Sequence, residues 1–278
     1  MKKTLVAMMA ALLCISLFAG CGGSAQEPAA AQENAGKEET ENAAEENAGE
    51  SEALADGILK VGTNAEFPPF EYVGDNGEPD GFDIALIKEI GKKLGVEVQV
   101  ENMEFDALVA SIGKKVDVAI AGMTVTDERK KTVDFSNPYY MAVQYVILPE
   151  GSGIAGAEDL SGKKIGVQLG TTGDFIAEEI ENAEVSQYNK ALDAVNDLIN
   201  GRLDCVIVDK NPALVFETRF EGQVKAVDGD NFGFEPEEYA ISLPKGDTVL
   251  AEKINAALQE MMEDGTFDAL VAEYIEES

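Results

Sequence analysis

The 278-residue chain has no histidine, three cysteines, and 21 lysines and arginines against 53 aspartates and glutamates. Lacking histidine, it has neither the commonest general base nor any Ser-His or Cys-His nucleophile pair, and it loses the commonest metal ligand. Most hydrolytic chemistries are excluded, and no catalytic residue, metal or cofactor is expected. A formal charge of −32 excludes a nucleic-acid partner, which requires basic patches. It also predicts a soluble chain repelled by anionic lipid. The cysteines separate by position: Cys14 lies in the leader, Cys21 closes it, and Cys205 sits in an apolar run, so no intrachain disulfide is expected.

The leader begins Met-Lys-Lys, continues with an apolar stretch from Leu5 to Phe18, and reaches Ala19-Gly20-Cys21. This is the pattern of an export signal over residues 1–20, short for a permanent membrane span. The small residues before Cys21 resemble a bacterial lipoprotein cleavage box, with Phe18 where leucine is usual. That resemblance implies a lipidated Cys21 and an extracytoplasmic protein anchored to the cell membrane; soluble secretion is the alternative. Residues 21–56 are Ala, Glu, Gln, Asn and Gly with almost no large apolar side chain, so nothing there offsets the entropy of ordering. A flexible acidic tether is expected; Gly36 and Gly49 and the missing apolar stripe argue against a helix.

From residue 57 the pattern changes to alternating strands and helices. Ile58 to Thr63 reads as a strand and Asn64 to Glu71, with two prolines, as a loop. Phe82 to Leu94 reads as an amphipathic helix stopped by Gly95. A strand at Val96–Val100, a helix at Phe105–Ile112 and a buried strand at Val116–Ala121 follow. Thr126-Asp127 then reads as a helix start with Arg129 in its first turn. Later segments repeat the alternation: strands at Val143–Leu148 and Lys164–Val167, a helix opened by Gln168–Gly173, a strand at Tyr239–Leu243, and helices at Thr248–Met262 and Phe267–Tyr274. Ile112–Ile120 also finds an echo in Ile199–Ile207, each a helix end, a glycine and a strand with an early aspartate. These units define an α/β fold.

In such folds the ends of parallel strands open onto the ligand crevice, and arginine grips a carboxylate with two parallel hydrogen bonds. Arg129 falls at one such end and Asp209, after the strand Cys205–Val208, at another. Each has an ordinary alternative: Arg129 as part of a solvated helix face with Glu128, Lys130 and Lys131, and Asp209 as the N-cap of a helix begun at Asn211-Pro212. The loop Gly170-Thr-Thr-Gly173 lacks the Gly-x-x-x-x-Gly-Lys-Ser/Thr spacing of a phosphate cradle.

Three stretches resemble the extracytoplasmic solute-binding proteins of polar amino-acid ABC importers. They are Gly62–Glu71 running into Gly81-Phe-Asp-Ile-Ala85, then Asp117–Tyr140, then Gly170-Thr-Thr172, within a match of roughly residues 57 to 276. The resemblance implies a two-lobed, type II periplasmic-binding-protein-like α/β fold with the ligand cleft between lobes joined by two crossover strands. Lobe 1 is expected over residues 57–142 and again over 237–278, and lobe 2 over 143–236, with crossings near Tyr139–Val143 and Glu235–Tyr239. The resemblance also implies the site. Arg129 takes the α-carboxylate, Asp209 the α-ammonium, and Gly122, Thr124 and Thr172 donate to the carboxylate. Phe67 and Phe105 form an aromatic clamp. Asn64, Glu66, Phe67, Phe105 and Gln168 set side-chain selectivity; Asn64, where binders of basic amino acids often carry Asp, favours an uncharged polar ligand, while Glu66 nearby keeps a basic one open. The expected partners are a free L-amino acid and ABC permease subunits. A cyclohexadienyl or arogenate dehydratase-like enzyme, which would need a positioned acid such as Glu66, and a ligand-sensing module are the alternatives.

Overall fold

The computed structural model describes residues 51–276, all within one compact unit. The leader, Cys21 and most of the acidic stretch lie outside the described residues. Among the described residues no helix is long and apolar enough to cross a membrane.

Lobe 1 is built on β1 (Ile58–Thr63), β5 (Glu97–Asn102), β6 (Val118–Ala119), β7 (Val133–Phe135) and β15 (Ser242–Pro244), in the order β5-β1-β6-β15-β7. Lobe 2 is built on β9 (Gln144–Pro149), β10 (Lys164–Gln168), β11 (Glu184–Tyr188), β12 (Cys205–Asp209) and β13 (Val224–Val227), in the order β11-β10-β12-β9-β13. In each sheet four strands run in one direction and the fourth position holds the one antiparallel strand. That strand is in each case the one the chain enters after crossing between lobes. The crossings themselves, β8 (Tyr140–Ala142) and β14 (Glu237–Tyr239), pair antiparallel as a two-stranded ribbon. A small sheet of β2 (Glu66–Phe67), β3 (Glu71–Val73) and β4 (Pro79–Asp80) completes lobe 1.

The central strands β9 and β12 are continuous apolar runs because helices and neighbouring segments cover both faces, whereas the outer strand β5 alternates. The helix Phe82–Leu94 buries Leu86, Ile87 and Ile90 on one side. It ends at Gly95 in the left-handed region (φ 72°), whose N–H closes on the carbonyls of Gly91 and Lys92. The repeated aspartates of the sequence echo have one role in both lobes. Asp117 Oδ2 accepts from Lys60 N at 2.8 Å and Asp204 Oδ2 from Lys164 N at 2.8 Å, so each binds a backbone amide of the neighbouring parallel strand, the third of β1 and the first of β10.

Four segments depart from the sequence pattern, each for a local reason. Val116–Ala121 is apolar and largely buried, but only Val118–Ala119 pairs as a strand, since the chain turns at Gly122 (φ 52°) to enter the cleft. Thr126-Asp127 opens a single 3-10 turn, Arg129–Lys131, instead of a longer helix, because the next residues from Val133 are drawn into pairing with β15. Tyr239–Leu243 divides into β14 and β15 as the chain leaves the crossover ribbon for the lobe 1 sheet. The expected loop Asn64–Glu71 holds β2 and the start of β3, which pair across the two prolines.

Candidate functional site

The C-terminal ends of β1, β10 and β12 and the chain just after β6 converge on one pocket between the lobes. Asn64, Phe67, Phe105, Ala121, Gly122, Thr124 and Arg129 line it from lobe 1, and Gln168, Thr171, Thr172 and Asp209 from lobe 2. Arg129 Nη2 of lobe 1 bonds Gly170 O of lobe 2, and Gln168 Nε2 of lobe 2 bonds Asn64 Oδ1 of lobe 1, so the lobes are closed over it. Nine of the ten ligand-binding residues expected from the sequence thus share one wall system. Glu66 does not; it lies outside the lining and its Oε1 accepts from Lys190 Nζ of lobe 2 at 2.5 Å.

Arg129 is not on a solvated face. Only 8% of it is exposed, its Nη1 donates to Thr124 O at 2.6 Å and its Nη2 to Gly170 O at 3.0 Å across the cleft. The guanidinium carbon stands 5.4 Å from the centroid of the Phe105 ring, a cation–π distance. Burial lowers its pKa to about 10, against the pull of Glu237 and Asp209, so it stays charged at neutral pH. Phe67 packs beside Phe70, ring centroids 6.0 Å apart. Asp209 does occupy the N-cap position of the helix Lys210–Arg219, yet its side chain makes no capping bond. Its Oδ1 accepts from the Tyr239 hydroxyl at 2.5 Å instead. Burial first, and then the charge of Glu237, lift Asp209 to about 7.

At the far end, Gln168 Nε2 donates to Asn64 Oδ1 at 2.8 Å and to Asn189 O at 3.0 Å, while Asn64 Nδ2 donates to Met103 O at 2.8 Å. Both Gln168 amide protons are thereby committed, which leaves its carbonyl oxygen as what it can offer a ligand, while Asn64 Nδ2 keeps a second proton.

The expected donors to the carboxylate are placed differently from the sequence reading. The Gly122 N–H is occupied by Asp83 Oδ2 at 2.8 Å, which leaves Gly122 its carbonyl to offer a ligand. The Thr124 and Thr172 hydroxyls donate to Glu237 Oε2 at 2.6 and 2.7 Å. A hydroxyl has one proton to give, so in this arrangement the donor left to each residue for a ligand is its backbone N–H. Thr172 is the first residue of the helix Thr172–Glu179, where N–H groups have no intrahelical partner and favour an anion.

Glu237 was not singled out from the sequence, and neither were Asp83 and Glu71 beneath the pocket floor. Asp83 Oδ2 also accepts from the Tyr139 hydroxyl at 2.8 Å. Both carboxyls are fully buried, and Glu71 Oε1, Glu71 Oε2 and Asp83 Oδ1 have no donor from any other group. A proton shared between one Glu71 oxygen and Asp83 Oδ1 accounts for two of these three atoms. Burial pushes Glu71 well above its ordinary value, helped by the charge of Asp83, and lifts Asp83 to about 6 against its donors Gly122, Glu71 and Tyr139. A carboxyl raised by folding contributes stability that is complete below its unfolded value, near 4, and lost as pH rises through its folded value. From pH 5 to pH 7 the wild type should therefore lose more stability than Glu71→Gln, which keeps the hydrogen bond without a proton to lose. Thermal unfolding of both at the two pH values checks this; parallel curves would show that no such proton is held.

A cleft that sets one buried guanidinium and one buried carboxylate on walls from two hinged lobes belongs to a solute-binding protein for a small zwitterion. The model of the bacterial extracellular solute-binding proteins, family 3, matches residues 59–277, and the chain belongs to that family. It is 34% identical over 282 residues to the arginine-binding extracellular protein ArtP of Bacillus subtilis, covering 97% of this chain and 96% of that protein. To the L-cystine-binding protein TcyJ of Escherichia coli K12 it is 35% identical over 218 residues, 77% of this chain and 81% of that one. Among solved structures it is similar to an ancestral arginine-binding protein bound to arginine, with a TM-score of 0.74 and 41% identity over 79% of this chain and 98% of that one.

Proposed function

We propose that the protein captures a free L-α-amino acid with N–H donors on its side chain outside the cytoplasm and delivers it to the permease of an ABC importer. Residues 1–20 act as its export signal, Cys21 carries the lipid that holds it to the membrane, and the acidic stretch to residue 50 gives it reach; residues 51–56, expected as tether, belong instead to the folded body, where Ser51 Oγ donates to Asp247 Oδ2 at 2.7 Å and Glu52–Leu54 form a 3-10 turn whose Ala53 and Leu54 pack on the core. The observation that carries the reading is the pairing of buried Arg129 with buried Asp209 on opposite walls of one pocket. Arg129 takes the carboxylate with help from the Thr124 and Thr172 amides, Asp209 and the Gly122 carbonyl take the ammonium, and Phe67 and Phe105 flank the ligand.

The side-chain preference follows from what remains. Gln168 offers an acceptor, and near the α-groups one cation, Arg129, faces two carboxylates, Asp209 and Glu237. A zwitterionic backbone leaves that residual negative charge unchanged, so a cationic side chain such as arginine's is favoured over a carboxamide. Asn64 weighs towards the carboxamide, as does Glu66, whose charge is already met by Lys190. The arginine-binding and cystine-binding relatives are consistent with a polar ligand. Binding without chemistry is favoured over the dehydratase alternative because Glu66, the acid it would use, is outside the pocket and ion-paired.

Thermal shift and calorimetric titration of the described domain with arginine, glutamine, histidine and cystine test the proposal. Ligand at about 1,000 times its Kd adds roughly 4 kcal/mol of stability, and the ligand should be recovered unchanged. The ammonium favours the charged form of Asp209, so binding should release a proton and tighten as pH rises from 6 towards 8, levelling off above about 7. Titration in buffers of different ionisation enthalpy reads that proton. Affinity independent of pH over this range would remove Asp209 as the ammonium site.

A further inference from the structure

We infer that Glu237 is the clasp that holds the two lobes closed over the ligand, a positioning residue on the hinge itself. Its place in the fold is specific: β14 is the return crossover and pairs with β8, the outward one, so Glu237 belongs to the ribbon about which the lobes turn. A single oxygen, Oε2, accepts from Thr124 of lobe 1 at 2.6 Å and from Thr172 of lobe 2 at 2.7 Å, with the Gln144 amide of β9 at 3.4 Å.

Two hydroxyls from different lobes converge on one atom only when the lobes have come together, so this set of bonds belongs to the closed form. A ligand shifts an equilibrium only through contacts that differ between its two states, and the clasp is such a difference built into the chain. It also aims the site. With their hydroxyl protons turned to Glu237, Thr124 and Thr172 are fixed in rotation, and their amides are the donors left for a ligand. The carboxylate is an acceptor with no proton to compete for either hydroxyl, whereas an amide would bring donors into the same space. Bonds to a charged acceptor are stronger than neutral ones.

This inference rests on the amino-acid-binding reading, and its consequence is kinetic. Interactions made only after closure slow ligand release and leave arrival little changed. Stopped-flow and calorimetric measurements with L-arginine, and with L-glutamine in a second arm, should show Glu237→Ala binding about tenfold to a hundredfold more weakly. The loss should lie in a faster dissociation rate. Glu237→Gln, which retains one acceptor oxygen, should fall between, and it serves if the alanine variant does not fold. In a double-mutant cycle, Glu237→Ala should cost markedly less in a Thr172→Val background than in the wild type, because the two residues share one bond. A dissociation rate in Glu237→Ala equal to the wild type, or full additivity in the cycle, would overturn the clasp while leaving the binding function intact. Absence of binding of all four of arginine, glutamine, histidine and cystine by the wild type would instead overturn the functional reading, and the clasp with it.

Discussion

Arg129→Ala is expected to weaken amino-acid binding by about a hundred- to several-thousand-fold. The magnitude follows from what the substitution leaves behind. The ligand carboxylate is still carried into a closed cleft, now with no cation to meet it, and an uncompensated buried charge costs about 3 to 5 kcal/mol. Asp209→Ala should have an effect of the same order, because the ammonium loses its carboxylate in the same way. Lys130→Ala is the contrasting control. Lys130 neighbours Arg129 in the same 3-10 turn but is exposed, and its removal should change affinity little. Calorimetric titration of the three variants checks the set. Near-normal affinity in Arg129→Ala would show that the carboxylate is held elsewhere.

Gly81→Ala should strongly damage the loop and helix start that support this site. Gly81 has φ 120°, a conformation that side chains rarely adopt, and an added Cβ would lie 2.4 Å from Phe70 O and 2.9 Å from Pro69 O. Both contacts are backbone and cannot rotate away. The same carbonyls accept from the first helical amides, Phe82 N to Pro69 O at 3.1 Å and Asp83 N to Phe70 O at 2.8 Å. Moving the loop would therefore disturb the helix start, the Asp83–Gly122 bond and the segment carrying Phe67 together. Strain at such a position is on the order of 1 to 3 kcal/mol, and the clash adds to it. A loss of roughly 3 kcal/mol or more lowers Tm by about 6 to 12 °C in a domain of this size. A Tm within about 2 °C of the wild type would mean that the loop yields freely.

That Arg129 and Asp209 line the cleft was legible in the sequence because each follows an apolar strand at a place where an α/β fold opens; the roles expected of them came from the family resemblance. Arg129 comes after Val116–Ala121, and Asp209 ends Cys205–Asp209. Helix Phe82–Leu94 was legible to the residue, since its apolar spacing and its terminal glycine act locally. Glu237 was not legible. It lies in Glu235-Pro-Glu-Glu-Tyr239 in a chain with 53 acids, and nothing in local spacing separates it from Glu235 or Glu238. Only the pairing of β14 with β8 turns it towards Thr124 and Thr172. Asp83 was hidden for a related reason. An aspartate in a first helical turn ordinarily serves the helix dipole, and its actual role depends on Glu71, Gly122 and Tyr139, brought to it from three other elements. The roles of Gly122 and of the threonine hydroxyls differ from expectation because those residues have partners within the protein that only the folded chain reveals.

The most direct measurement compares each amino acid with the same molecule lacking its carboxylate. Calorimetric titration of the wild-type domain would set L-arginine against agmatine, and L-glutamine against 4-aminobutanamide. If Arg129 holds the carboxylate and Asp209 the ammonium, the amino acid that binds should do so at least about a hundredfold more tightly than its decarboxylated counterpart. In Arg129→Ala that preference should largely vanish. Equal affinity for the two members of a pair in the wild type would contradict it.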